Sequence, residues 1–360
     1  MRLFNEKVDR RSFLRGCALA ATMMGLPATM APKIAKAVES EDRPPVVWLH
    51  FQECTGCSES ILRATHPDIL TLITKLISLD YHETLMVASG ELAEKALEKT
   101  LEEHEGNIIC IVEGSIPLKE GFCKIAGKEA KDILKEVGEK SKVIVNIGTC
   151  SAYGGIQKAS PNPSNSVAVE EIIHDKPIVN VPGCPPNPDV FLATLLYIIM
   201  WKKLPPMDTK KRPLFAFGRR IHDHCERRPH FDEGRFVEWF GDLGHKQGYC
   251  LYKVGCKAPE AYSPCSIVGF NSIGVWPVKI GHGCIGCTEP DFWDTMSPFY
   301  QRLPGVKIPG KEGIIASVDK IGWYALTATG VALAAHAAAG IIKGAIKGTT
   351  NKDPHEENKK

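Results

Sequence analysis

The stretch Val46-Val47-Trp48-Leu49-His50-Phe51-Gln52-Glu53-Cys54-Thr55-Gly56-Cys57 decides the fold and indicates the chemistry. It begins with a short apolar run, Val46 to Phe51, which predicts a buried strand. Two cysteines in a C-x-x-C pair follow this run, and a longer helical pattern begins at Ser58. Open α/β sheets bind ligands outside the carboxyl ends of their strands, which is where this pair lies.

The same alternation of short apolar runs with helical patterns continues to about Pro205. It predicts an α/β fold with a doubly wound parallel sheet in residues 45–205. The expected strands are Val46 to Phe51, Thr84 to Ala88, Ile108 to Val112, Val143 to Ile147 and Pro177 to Val181. The expected helices are Ser58 to Asp80, Glu91 to Glu103, Lys124 to Glu139 and Asp189 to Lys203.

Ten of the thirteen cysteines, with one histidine, fall into groups whose spacing suits metal-cluster ligation. Cys54, Cys57, Cys150 and Cys184 each follow a predicted strand, so they are expected to converge at one edge of the sheet. Four thiolates are enough for one four-iron cluster. Glycines beside them allow tight turns and backbone amides aimed at sulfur.

Residues 206–310 differ in character, being rich in Gly, Pro, His and aromatic residues with little periodicity. Bound clusters would order such a segment, because their binding free energy becomes folding free energy. His222, Cys225, Cys250 and Cys256 form a second four-ligand set; the H-x-x-C spacing favours His222 over His224 and His230.

A third group, Cys265, Cys284 and Cys287, offers three thiols, which suits a three-iron cluster. A zinc site with His282 as fourth ligand is the alternative, since C-x-x-C pairs also bind zinc.

The N-terminal residues 1–37 read as an export segment. Asp9-Arg10-Arg11-Ser12-Phe13-Leu14-Arg15 is a twin-arginine motif, an apolar stretch runs from Gly16 to Met30, and Ala35-Lys36-Ala37 is an A-x-A cleavage site. An amphipathic basic helix is the alternative. Export of an already folded protein suits clusters that are assembled in the cytoplasm and predicts a periplasmic location.

Composition excludes two classes of protein. Lys plus Arg (44) nearly balance Asp plus Glu (42), so the chain lacks the basic surface of a nucleic-acid-binding protein. Disulfide-dense scaffolds are small, whereas this chain has 360 residues and alternating strand and helix patterns.

Residues 311–360 hold an apolar segment and a polar tail. The segment from Ile321 to Ile342 contains no Asp, Glu, Lys or Arg, and it is long enough to span a bilayer. This segment could be a membrane anchor or a packed terminal helix. If it is an anchor, Lys343 and Lys347 suit a C-terminal end on the cytoplasmic side. The last residues, Asn351 to Lys360, have the composition of a disordered tail.

Taken together, the motifs resemble the small subunit of periplasmic uptake nickel-iron hydrogenases. The motifs that carry this resemblance are Cys54-Thr55-Gly56-Cys57-Ser58-Glu59-Ser60, Val112-Glu113-Gly114, Gly148-Thr149-Cys150-Ser151-Ala152-Tyr153-Gly154-Gly155, Val181-Pro182-Gly183-Cys184-Pro185-Pro186-Asn187-Pro188, His222-Asp223-His224-Cys225-Glu226-Arg227-Arg228-Pro229-His230-Phe231-Asp232 and Cys284-Ile285-Gly286-Cys287-Thr288-Glu289-Pro290. The resemblance implies a flavodoxin-like N-terminal domain, an irregular iron-sulfur cluster-binding C-terminal domain, and a large subunit that holds the nickel-iron centre.

The resemblance also implies a role for each group. Cys54, Cys57, Cys150 and Cys184 would hold a proximal 4Fe-4S cluster, Cys265, Cys284 and Cys287 a medial 3Fe-4S cluster, and His222, Cys225, Cys250 and Cys256 a distal 4Fe-4S cluster. Pro277 would stand where a fourth medial thiol would otherwise be. Glu53 resembles a glutamate associated with proton movement; a structural glutamate with a local partner is the alternative.

Electrons would leave the distal cluster for a cytochrome b with quinone, or for a c-type cytochrome. Oxygen-tolerant members of the family carry extra cysteines at the positions of Gly56 and Gly155, so the resemblance implies inactivation by oxygen. Two other functions stay open: an electron-transfer subunit of another iron-sulfur complex, and a colourless zinc protein that serves as a binding module. No role is assigned to Cys17 in the export segment or to Cys123, and Cys110 is expected to be a small buried residue.

Overall fold

The computed structural model describes residues 14, 17–18, 21–22, 27–38, 43–64, 67–270, 274–302 and 318–350. Its central sheet has five parallel strands: β1 (Pro45–His50), β2 (Ser78–His82), β3 (Ile108–Glu113), β4 (Ser141–Ile147) and β5 (Ile178–Val181). They lie in the order β2-β1-β3-β4-β5. This is the flavodoxin-like order of a doubly wound sheet, and it confirms the predicted fold class.

Helices cover both faces of the sheet and its strand ends. They are α1 (Ala31–Val38), α2 (Gly56–Leu62), α3 (Glu91–Glu103), α4 (Ala130–Lys140), α5 (Gly148–Tyr153) and α6 (Pro188–Trp201). Two small antiparallel ladders pair Ile116–Pro117 with Ser166–Val167 and Lys124–Ile125 with Lys128–Glu129. Between α6 and Arg302 the helical segments are short: Leu214–Phe217, Ile221–His224, Arg228–Asp232, Leu243–Lys246, Cys265–Val268 and Phe292–Thr295.

The sheet is buried on both faces, which explains the unbroken apolar runs in its strands. Because side chains alternate along a strand, Val46 and Trp48 of β1 enter the core under α6, whereas Val47 and Leu49 enter the core under α3 and α4. α6 is apolar on nearly every side and buried along most of its length. The sheet is therefore a rigid support for the loops at its carboxyl edge.

Residues 206–302 have a much smaller core of their own. It consists of Ile221, Val237, Leu251, Val254, Cys256, Ala258, Ala261, Trp276 and Val278. Such a small core agrees with the prediction that this region depends on bound groups for its order.

Three predicted elements differ from the structure. The predicted strand Thr84 to Ala88 is a turn, in which Val87 is fully exposed. The strand at this edge is Ser78–His82, most of which had been predicted as the end of the helix Ser58 to Asp80. The predicted helix ends at Leu62. A new helical segment runs from Ile69 to Leu76, and Asp68 caps its start by accepting a hydrogen bond from the Thr71 N–H at 2.7 Å. The α4 prediction began too early, because Lys124 to Glu129 form a hairpin.

The described part of residues 1–37 packs onto the sheet domain. Cys17, Ala21, Ile34 and Ala35 are buried in the core that contains α6. The twin-arginine motif, except Leu14, lies outside the described residues.

The chain divides into two units, Met1–Arg302 and Leu303–Lys360. In the second unit, Val318–Thr350 is one helix. Its part Gly322–Gly344 is exposed and is long and apolar enough to cross a membrane, by length and composition. The tail from Asn351 to Lys360 lies outside the described residues.

Candidate metal centres

The first cysteine group lies at the carboxyl edge of the sheet, as predicted. Cys54 and Cys57 follow β1, Cys150 lies in the first turn of α5 after β4, and Cys184 follows β5. The negative charge of each of the other three thiolates would act on Cys57, so the four sulfurs share one site. The fold thus brings all four together.

Two glycines leave room for the sulfurs in this group. A Cβ atom at Gly148 would lie 2.4 Å from the Cys57 sulfur, and one at Gly155 would lie 2.4 Å from the Cys150 sulfur. Both glycines also have positive φ angles of 89° and 64°. In this chain both positions therefore favour glycine, for space as well as for backbone conformation.

Four thiols this close together cannot all ionise unless a cation compensates them. Cys57 and Cys150 are partly buried, whereas Cys54 and Cys184 are exposed. Burial, with the neighbouring Cys184 and Cys54 thiolates, raises the pKa of Cys150 to about 12, and burial with Glu113 raises the pKa of Cys57 well above its ordinary value. An iron-sulfur cluster supplies the positive charge that stabilises thiolates, so this donor set fits such a group.

Glu113, at the end of β3, fixes the C-x-x-C turn from beneath. It is 1% exposed and accepts from the backbone N–H groups of Cys57 at 3.1 Å and Ser58 at 3.2 Å, from Ser58 Oγ at 2.7 Å and from Trp48 Nε1 at 3.3 Å. A buried carboxylate with four donors holds α2 against the sheet.

Two buried histidines extend this polar network. His50 Nδ1 lies 3.4 Å from Glu53 Oε1 and 3.9 Å from Glu113 Oε2. The His82 ring packs 4.6 Å from His50, and His82 Nε2 lies 3.4 Å from Ser58 Oγ. Burial and the neighbouring His50 lower the pKa of His82 to about 3, so His82 is neutral in the folded protein.

The third cysteine group also converges. The thiolate charge of Cys256 from the second group, and those of Cys287 and Cys265, act on Cys284, and burial raises the pKa of Cys287 to about 12. A cavity of about 350 Å³ is lined by Cys265, Cys287 and Pro277. Both ring nitrogens of His282 have other partners, the Gly283 carbonyl at 2.8 Å and Tyr300 Oη at 3.3 Å, which disfavours His282 as a zinc ligand.

The second group is brought together around its three thiols. The charges of Cys256 and Cys225 act on Cys250, whose pKa burial raises to about 11. The carbonyl of His222 accepts from the Cys225 N–H at 3.3 Å, and its ring packs edge-on against Phe231. Burial and Arg228 lower the pKa of His222, which favours the neutral imidazole that binds metals.

Backbone amides donate to sulfur at a regular offset. The N–H two residues after the cysteine donates to Cys225 at 3.4 Å and to Cys284 at 3.3 Å, and the same arrangement occurs at Cys250 and Cys256. Amide hydrogen bonds to sulfur are one means by which proteins set cluster potentials.

Contacts between the groups give their order in space. The backbone N–H of Cys184 donates to the Cys287 sulfur, and Thr149 Oγ1 donates to the Cys287 carbonyl at 2.5 Å. On the other side, the Cys284 N–H donates to the Cys256 sulfur at 3.3 Å. The group at Cys265, Cys284 and Cys287 therefore lies between the other two.

The remaining cysteines are not part of these groups. Cys110 is fully buried in β3, which confirms the expectation, and burial raises its pKa to about 12. Cys17 is buried, and Cys123 packs at the edge of the core under α3 and α4.

Sequence reasoning missed several residues around these groups. It gave no role to Glu113, His50, His82 or the fully buried Lys257. The position of Glu113 at the end of β3, beside β1, was the available signal, because adjacent parallel strands end at the same edge.

Comparisons with known proteins agree with this geometry. Residues 217–300 match the family defined by the C-terminal part of the NiFe/NiFeSe hydrogenase small subunit, and residues 54–198 match "NADH ubiquinone oxidoreductase, 20 Kd subunit". The chain is 47% identical over 340 residues to the uptake hydrogenase small subunit of Azotobacter vinelandii, covering 94% of each protein. This chain belongs to the small subunits of nickel-iron uptake hydrogenases.

Other members of the family support the assignment. The quinone-reactive Ni/Fe-hydrogenase small chain of Wolinella succinogenes is 46% identical, covering 93% of this chain and 97% of that one. The reduced, active Ni-Fe-Se hydrogenase of Desulfomicrobium baculatum superposes with a TM-score of 0.68 at 36% identity, over 72% of this chain and all of the other. As a small subunit, the chain pairs with a hydrogenase large subunit, and the heterodimer is the enzyme.

Proposed function

We propose that this protein transfers electrons, released by hydrogen oxidation at the partner's nickel-iron centre, to an acceptor outside the heterodimer. The carriers would be a proximal 4Fe-4S cluster on Cys54, Cys57, Cys150 and Cys184, a medial 3Fe-4S cluster on Cys265, Cys284 and Cys287, and a distal 4Fe-4S cluster on His222, Cys225, Cys250 and Cys256. When bound, these clusters supply one-electron transfer.

The spatial order of the cysteine groups is the observation that carries this proposal. Cys287 contacts Cys184 on one side, and Cys284 contacts Cys256 on the other. A chain of three groups joined by ligand contacts is the arrangement that stepwise electron transfer requires. Pro277 at the wall of the middle site supports three thiols there rather than four.

The protein's own residues hold and insulate these sites. Glu113 fixes the Cys57 turn, backbone amide groups donate to the sulfurs, and Cys225, Cys265 and Cys284 pack against a small apolar core. Each of these features affects a reduction potential through charge, hydrogen bonding or burial.

Glu53 is the proposed proton carrier beside the proximal site. Its Oε1 accepts from Thr55 Oγ1 at 3.2 Å and lies 3.4 Å from His50 Nδ1, and its Oε2 is buried without a hydrogen-bond partner among the described residues. A free carboxylate oxygen is available to exchange a proton, whereas a purely structural glutamate would use both oxygens.

The N-terminal segment and the C-terminal apolar helix bear on where the protein is located and which electron acceptor it uses. We infer export by the twin-arginine pathway with removal of residues 1–37, and attachment to the cytoplasmic membrane through Gly322–Gly344. This apolar helix, together with the quinone-reactive relative of Wolinella succinogenes, favours a cytochrome b and quinone over a soluble c-type cytochrome.

Gly56 and Gly155 lead us to expect inactivation by oxygen. Because neither position offers a further thiol, the proximal site has four cysteines. Hydrogen oxidation by the purified enzyme should stop in air and should recover only after reduction; sustained turnover in air would contradict this expectation.

The decisive experiment is anaerobic purification of the tagged chain from its native host. We expect a copurifying large subunit, about one nickel and about eleven cluster irons per heterodimer, and hydrogen-dependent viologen reduction. A colourless protein that contains zinc and no nickel would overturn the proposal in favour of a zinc-binding module.

A further inference from the structure

Lys257 is an unusual residue for a protein interior. It is 1% exposed and stands with Phe191 and Leu49 among the bulkiest side chains that are fully buried. Lysine is almost never fully buried unless its charge is compensated.

The immediate partners of Lys257 are neutral. Its Nζ donates to the carbonyl oxygens of Pro298, at 3.3 Å, and Gln301. Within the part of the chain that the structure describes, no carboxylate forms an ion pair with it. Two carbonyl dipoles alone do not compensate a buried ammonium ion.

The charges that do act on Lys257 are those of cluster ligands. Its position directly after Cys256, and the hydrogen bond of 2.7 Å from its backbone N–H to the Cys284 carbonyl, place it between two cysteine groups. Burial lowers the pKa of Lys257, and the negative charges of the Cys256 and Cys284 thiolates oppose this by attracting its ammonium. One of these cysteines belongs to the proposed distal site and the other to the proposed medial site.

We propose that the Lys257 ammonium is a buried counter-charge shared by the medial and distal clusters, and that it raises the reduction potentials of both. This inference rests on the proposed function. A reduced cluster carries one more negative charge than its oxidised form, so a nearby fixed positive charge favours reduction. The effect is large because the interior screens charge weakly.

A second reading gives Lys257 a purely structural role, in which it ties Pro298–Gln301 to the cluster region. The chain passes close there, since a Cβ atom at Gly255 would lie 2.4 Å from the Phe299 carbonyl oxygen. A structural tie would alter stability and would leave the potentials unchanged, so the two readings predict different measurements.

The test uses the purified heterodimer with Lys257→Met, Lys257→Gln and Lys257→Arg. Lys253→Met is the matched control, because Lys253 lies close to Lys257 in sequence, between Cys250 and Cys256, but is 42% exposed and paired with Glu238 at 2.6 Å. The readout is an anaerobic redox titration in which electron paramagnetic resonance follows the medial and distal clusters separately.

We expect both neutral variants to lower the ratio of reduced to oxidised cluster about tenfold at a fixed potential, which corresponds to about 59 mV for a one-electron couple. Lys257→Arg and Lys253→Met should stay within about twofold of the unsubstituted enzyme. Unchanged potentials in Lys257→Met and Lys257→Gln would overturn the inference.

Iron content keeps the test informative if a variant is unstable. Loss of cluster iron from both neutral variants but not from Lys257→Arg would support the charge role, whereas loss from all three would overturn it in favour of packing. If the unsubstituted heterodimer itself lacks cluster signals, the proposed function fails instead.

Discussion

At the scale of single residues, the proposed proximal site depends on side chains that accept hydrogen bonds from buried donors. Glu113 is the acceptor for two amide groups of α2, one hydroxyl and one indole N–H. A buried donor without an acceptor costs about 1–3 kcal/mol, and more for a charged partner.

Substituting Glu113→Gln should therefore lower the free energy of unfolding by about 2–3 kcal/mol, because the amide NH₂ turns a donor towards other donors. Guanidinium titration, followed by loss of the cluster's visible absorbance, measures this change. Glu59→Gln is the control, since Glu59 lies on the exposed side of the same helix. Equal midpoints for the two variants would contradict the role given to Glu113.

His82 should make stability depend on pH. Its pKa falls from 6.5 in the unfolded chain to about 3 in the folded protein, so the unfolded state binds the extra proton. The contribution of neutral His82 is fully present above pH 6.5 and is lost as the pH falls towards 3, by up to about 1.4 kcal/mol per pH unit.

We expect His82→Gln to reduce the loss of stability between pH 6.5 and 5, since glutamine can still reach Ser58 Oγ but does not titrate. Urea unfolding at several pH values in this range, compared with the unsubstituted protein, gives the slope. His104→Gln is the matched control, because His104 is exposed and should leave the slope unchanged. Parallel slopes in all three proteins would exclude His82 as the source.

At the scale of elements, the strand-to-helix turns determine where the cysteines meet. Gly148 begins α5 directly after β4, with a φ angle of 89°, and the missing Cβ leaves space for the Cys57 sulfur. The turn that carries Cys150 thus also makes room for a ligand from the loop after β1.

Gly148→Ala should remove the proposed proximal cluster, which amounts to about four irons per chain, because the added Cβ would lie 2.4 Å from the Cys57 sulfur. Iron analysis with electron paramagnetic resonance measures the loss. Gly106→Ala is a close control: Gly106 has a similar φ angle of 74°, and no atom lies within 4 Å of its missing Cβ. Equal iron in both variants would show that space at Gly148 does not matter.

The elements also show what sequence patterns reveal and what they miss. Glu91–Glu103 has the bounds predicted from its periodicity, and the strands of the sheet centre were found because both faces are buried. The edge strand Ser78–His82 was missed, because it is short, polar and only half-buried at its start. The apolar residues of Thr84 to Ala88 wrongly predicted a buried strand, since Val87 is fully exposed.

The candidate sites follow the same logic. The strand-end positions of Cys54, Cys57, Cys150 and Cys184 predicted that these four cysteines converge, because strand ends meet at one edge. Long-range partners such as Glu113 with Cys57, or Lys257 with Gln301, leave no local pattern in the sequence. They depend on tertiary packing, which only the structure supplies.

At the scale of the whole molecule, the division after Arg302 separates the cluster-bearing unit from the apolar helix. All three cysteine groups lie before this point, and Gly322–Gly344 lies after it. If the helix is the membrane anchor, then electron transfer within the heterodimer and attachment to the membrane are separable.

A chain that stops after Arg302 should keep its cluster iron and its hydrogen-dependent viologen reduction. It should appear in the soluble fraction and should lose reduction of a quinone analogue by membranes, because an apolar helix of 23 residues supplies the anchoring. Deletion of residues 351–360 alone is the control, since it removes the polar tail and leaves the helix; that variant should stay in the membrane fraction. A truncated chain that still sediments with membranes and reduces the quinone would show that the large subunit or another surface makes the attachment.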